Sequence, residues 1–242
     1  MRAFRAQIAA ELRLTARRGD SVLLNLAIPL GLLVFFSLVD VLPKPDRVRH
    51  PVQFLTPGVL ALAVMSTAMV SLGIATGFER QYGVLKRLGS TPLGRGRLLG
   101  AKIAAIAAIE VLQAAGVVVA GVVLGWNPGG PIAPAVPAVI LATVAFAGLG
   151  LLMAGTLRAE VTLAAANGLY LLLLLLGGMV IPLSKLPSGL RGVARALPAG
   201  ALSDALHGSL TAGASVPGRA WIVLGIWAVG APLLAARTFR WD

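Results

Sequence analysis

Cysteine is absent from this 242-residue chain, which excludes disulfides and thiolate-bound metals. Acids are scarce: 9 Asp and Glu stand against 21 Lys and Arg, with 2 histidines, His50 and His207, far apart. An intramembrane lipid-modifying enzyme would need clustered carboxylates for metal-bound phosphates, or a Ser/His set. The scattered acids and lone histidines offer neither. Aromatics are 5% of the chain, too few for a base-stacking surface, so the net charge of +12 is not read as a nucleic-acid footprint. No G-x-x-x-x-G-K-[ST] phosphate loop is present; "GRGRLLGAK" has the wrong spacing, and Ile103 stands at the Ser/Thr position. Nor is there an internal repeat with matching broken spans, as ion-coupled carriers tend to show.

What remains is apolar. Hydrophobic residues make up 57% of the chain and charged ones only 12%, with a mean hydropathy of +0.88. A membrane helix takes about 20 apolar residues. Six stretches qualify, at about 21–39, 54–76, 103–125, 135–157, 163–182 and 219–236. The expected class is an all-α polytopic membrane protein of six spans in a single domain, 1–242. The first run, Ser21 to Val39, exceeds a signal-peptide core of roughly 7–15 residues, and "DVLPKPDR" after it lacks a cleavage pattern. Arg158 and Glu160 in "LRAEVT" resist burial and predict a tight turn between the fourth and fifth spans.

With six spans, both termini share one side. That side carries 14 Lys and Arg, the other 7, so the termini are expected to be cytoplasmic. Residues 1–20 place Phe4, Ile8 and Leu12 on one helical face and Arg2, Arg13 and Arg17 on another, an amphipathic helix lying along the membrane surface.

The most charged stretch is "FERQYGVLKRLGSTPLGRGRLLGAK", Phe78 to Lys102, between the second and third spans. Positive-inside bias explains its charge but not its order. Phe78, Tyr82, Leu85 and Leu88 recur at helical period. Glu79 near the start and Lys86 and Arg87 near the end suit a helix dipole. Gly89 reads as a cap, and Thr91-Pro92 as the start of a fresh helix. So short a helix is not stable alone in water, and its apolar stripe needs a membrane surface or a partner protein.

"ERQYGVLKRLGSTP" resembles the cytoplasmic loop pattern E-R-E-x-G-T-L-x-x-L-x-x-T-P of the type-2 ATP-binding-cassette exporter permeases, the multidrug and daunorubicin-resistance kind. Glu79, Arg80, Gly83, Leu85, Leu88, Thr91 and Pro92 match; Gln81 and Val84 replace the usual Glu and Thr. A second stretch, Gly177 to Leu210, resembles the family's outer segment through Pro182, Leu186, Pro187, Leu190, Leu197, Pro198 and Asp204, with His207-Gly208 near a place where Arg is usual.

The resemblance implies a bacterial plasma-membrane permease that works as a dimer with a second copy or a paralogue. Loop 77–92 would hold a coupling helix seated on a separate ATPase subunit, which binds the ATP and Mg. This chain would bind no cofactor of its own and would move a substrate outward by alternating access.

The rest is read from the residues. Segment 183–218 is too polar and Pro-broken for a span, but Leu186, Leu190, Val193 and Leu197 keep helical spacing; two short helices in the outer leaflet are expected. Glu110 lies in mid-span, with Gln113 one turn on; Asn167 and Tyr170 share a face of the fifth span. These four are the candidate pathway residues. With few fixed charges, such a pathway suits a hydrophobic drug-like molecule or a lipid. Gly73-x-x-x-Gly77 and Gly121-x-x-x-Gly125 allow close helix approach, and Trp126 is expected at the outer membrane interface.

Overall fold

The structure is a computed structural model. It describes residues 7, 9–11, 13, 19–39, 50–89 and 95–240, leaving aside the side chains of 19–25, 88, 89 and 95. Phe4, Ile8, Leu12, Arg2 and Arg17 of the amphipathic pattern, Thr91 and Pro92 of the loop motif, and the side chain of Leu88 lie outside that description.

The described residues form helices and no strand. Five helices are long and apolar enough to cross a membrane: α2 (Pro51–Gln81), α4 (Gly96–Val123, its first turn starting at Arg95), α5 (Ala135–Thr156), α6 (Ala159–Leu176) and α9 (Gly218–Thr238). Ahead of them, α1 (Gly19–Leu38) has a shorter apolar stretch, Leu26–Leu38. Between α2 and α4 lies α3 (Val84–Gly89). Between α6 and α9 come α7 (Ser188–Ala196) and α8 (Pro198–Leu210).

Two boundaries differ instructively from expectation. The second span does not stop near 76 but continues as helix to Gln81, so Phe78, Glu79 and Arg80 belong to α2. The fifth stops at Leu176 rather than 182. There Gly177 closes the helix onto the Leu173 carbonyl, and Gly178 takes a left-handed φ of 70° that turns the chain away.

Small residues set the packing. The most extensive helix pair is α5 with α9. Its closest approach is at Gly148, where a Cβ would stand 2.6 Å from Pro232. α2 crosses α5 at Gly73 and Gly150, where a Cβ on Gly150 would sit 2.6 Å from the Met69 carbonyl oxygen. In a membrane, where lipid is as apolar as Leu, such backbone approach is what holds helices together. Midway along α2, Ser66–Ser71 winds as a π-helix, a local widening found mostly at functional positions.

α8 is apolar and buried on nearly every side, against α2, α5, α6 and α9. A helix of this length is too short to span, so it enters the bundle from one end and stops. α7 differs: Leu190 and Val193 of its apolar stripe are exposed, facing away from the bundle. Trp126 is 5% exposed, folded in against α4, with its backbone N–H on the Gly121 carbonyl.

Candidate functional site: the basic loop and its supports

The helix ends sort into two groups. At one end α2 finishes, α3 sits, α4 begins and the α5–α6 turn lies close. There the Arg80 guanidinium donates to the Leu157 carbonyl, the Gln81 amide donates to Glu160 at 2.9 Å, and the Arg240 N–H donates to the Gly155 carbonyl at 3.0 Å. At the opposite end the Gln53 amide donates to the Gly125 carbonyl, and the Ser209 hydroxyl to the Pro131 carbonyl.

The loop is not one helix from Phe78 to Gly89. α2 ends at Gln81, the chain turns through Tyr82 and Gly83, and α3 restarts at Val84. Gly83 causes the break. It sits at φ 70°, with its N–H on the Arg80 carbonyl, a left-handed helix stop that costs other residues about 1–2 kcal/mol. The helical stripe is therefore divided. Phe78 and Tyr82 remain together, ring centroids 6.2 Å apart. Leu85 is fully buried, while Tyr82 is 71% exposed. Leu85 thus pins α3, while Val84, Lys86 and Arg87, and Tyr82 of the turn before it, face outward.

Glu79 is not a helix N-terminal acid either. Near the end of α2, it pairs with Lys102 of α4 at 2.6 Å, and Lys102 also meets Glu11 at 3.1 Å. Lys102 is only 2% exposed. Gln81, which departs from the usual loop pattern, has a local role: a Glu there would face the Glu160 carboxylate that the amide now contacts.

The four pathway candidates do not converge. Glu110 and Gln113 are buried inside the chain on the inward stripe of α4. Glu110 accepts from the Thr143 hydroxyl of α5, and Gln113 accepts from Thr67 of the π-helical turn at 2.7 Å. Asn167 is exposed on α6, its amide spent on the Leu163 carbonyl of its own helix at 2.8 Å, and Tyr170 is half-buried against the core. Glu110 is therefore placed away from any outer seam of this chain. Glu11, Thr67 and Thr143 escape a sequence reading because nothing in their spacing announces partners on other helices, and the same holds for the Gln81 contact of Glu160.

In the outer segment Pro182 and Pro198 are buried and Pro187 exposed. Asp204 on α8 pairs with Arg219 at the start of α9. His207 stacks on Phe54 at 4.6 Å between centroids, and its ring nitrogens face the Ser203 and Phe54 carbonyls at 2.8 and 2.9 Å. Burial pushes this imidazole below its ordinary value, against the opposing pull of those carbonyls and Asp204. Among the described residues no group of three or more His, Cys, Asp or Glu could hold a metal.

The ABC-2 type transporter family profile matches residues 2–210, nearly the whole chain. This protein belongs to the ABC-2 type transporter family. The chain is also 25% identical over 206 residues to YvfS of Bacillus subtilis (strain 168), provisionally named a transport permease, covering 82% of this chain and 81% of that one. It is thus a multi-pass membrane component of a transport system.

Proposed function

We propose that this ABC-2 chain is the membrane subunit of an ATP-driven exporter, energised by a separate ATPase that grips α3. The observation that carries the reading is α3 itself: a short helix held by buried Leu85 that offers Tyr82, Lys86 and Arg87 outward, beside the ends of α2, α4 and the α5–α6 turn. A rigid element tied to several spans can pass a push to all of them, whereas a slack loop cannot. ATP and Mg belong to the partner, since this sequence holds no phosphate loop.

In this reading the loop end is cytoplasmic in a bacterial plasma membrane, two permease copies or paralogues pair, and export proceeds by alternating access. Exposed apolar side chains such as Val119, Val123 and Leu171 face lipid or the second permease. The substrate is a hydrophobic drug-like molecule or a lipid, in keeping with a membrane interior of few fixed charges.

Co-purification tests the reading. Tagged permease, co-expressed with an ATP-binding-cassette ATPase subunit from the same organism, should retain that subunit in detergent. The Lys86→Glu/Arg87→Glu pair should lose it while eluting as a monodisperse membrane protein. Equal retention by both would remove α3 from the interface.

A further inference from the structure

Lys102 stands one turn into the first buried stretch of α4, and the two carboxylates beside it come from two other elements. Glu79, at the end of α2, lies 2.6 Å from its ammonium, and Glu11 of the amino-terminal segment 3.1 Å. Gln7 donates to Glu11 at 2.9 Å and steadies it. The two carboxylates are 17% and 12% exposed, the ammonium 2%. A lysine so far from water must be paired. Conversely, two carboxylates brought together need the cation between them. The three groups therefore hold only as a set.

Their positions give the set a mechanical meaning. Glu79 lies directly before the Tyr82–Gly83 turn that carries α3. Lys102 lies two turns into the helix that carries Glu110 and Gln113 into the bundle interior. Glu11 belongs to the amino-terminal segment, ahead of α1 in the chain. We infer that Lys102 is a positioning residue, a pin that makes the amino-terminal segment, the end of α2 and the start of α4 move as one body when α3 is displaced. This rests on the exporter reading for the source of the displacement, but the pin exists in the permease alone.

The absence of native cysteine permits a clean measurement. Spin labels at Arg13→Cys and Arg97→Cys, both exposed positions, report the spacing of the amino-terminal segment and α4 by pulsed electron resonance in lipid nanodiscs. The expected result is one narrow distance for the permease alone. The same distance should persist in complex with the ATPase, nucleotide-free or with ATP bound and hydrolysis blocked.

Lys102→Met should replace the narrow distribution by a broad one. The inverted set Glu11→Lys/Glu79→Lys/Lys102→Glu should narrow it again, which a general packing defect would not allow. Should Lys102→Met fail to fold, Glu11→Gln, which keeps the Lys102–Glu79 pair, must still broaden it. A distribution as narrow in Lys102→Met as in the parent, or a parent distance that changes on ATP binding, would overturn the pin. If no ATPase complex forms, the exporter reading fails, while the permease-only distances still decide on the pin.

Discussion

At the scale of single residues, glycine and histidine make the sharpest statements. A Cβ on Gly58 would lie 1.9 Å from the Met179 carbonyl oxygen, a backbone atom that cannot swing aside. Gly58→Ala should therefore cost about 1–3 kcal/mol, read as a fall in the thermal midpoint of the purified protein. Gly96, with nothing within 4 Å of its would-be Cβ, is the control, and Gly96→Ala should change stability by less than about 0.5 kcal/mol.

His207 predicts a pH effect. Its folded-state pKa is depressed by burial from the ordinary 6.5, so the unfolded chain binds the proton first. The contribution is whole above pH 6.5 and is lost as pH falls below it. Thermal melts from pH 8 to 5 should show the parent losing stability over that lower range, and His207→Gln losing less. Identical slopes would contradict the assignment. In sequence this residue looks isolated, because its partner Phe54 lies 153 positions away.

At the scale of elements, the long apolar runs were legible because about 20 lipid-compatible residues admit few other structures. The loop was half legible. Its helical stripe crosses Gly83 without a gap, and periodicity alone does not distinguish one amphipathic helix from two that meet at a left-handed glycine. Nor does spacing reveal that Glu79 looks across to Lys102 rather than back along its own helix. Nor does it reveal that the turn after Gly125 folds Trp126 inward against α4. Gly83→Ala should therefore strain the joint by about 1–2 kcal/mol. It should weaken ATPase capture although no charged or exposed side chain is altered. Full capture would mean that the partner does not depend on the angle of α3.

At the scale of the whole molecule, the bundle gives the family assignment a geometry. The family profile identifies a transport permease. The bundle adds an end where α2, α4 and the α5–α6 turn are cross-linked by Arg80, Gln81 and Lys102, with α3 beside them, and another where α8 closes the interior beside the Asp204–Arg219 pair. Force applied at the first end can reach the second through α2, which runs the whole distance and carries its π-helical turn midway. Such a lever has a use only if something outside the chain drives it. A photo-reactive amino acid placed at Tyr82, 71% exposed beside Lys86 and Arg87, measures that directly in intact cells. The account predicts a cross-link to the ATP-binding subunit, lost when Lys86 and Arg87 are reversed to Glu. No cross-link from this position, or labelling of a cysteine there by a membrane-impermeant reagent added outside the cell, would contradict it.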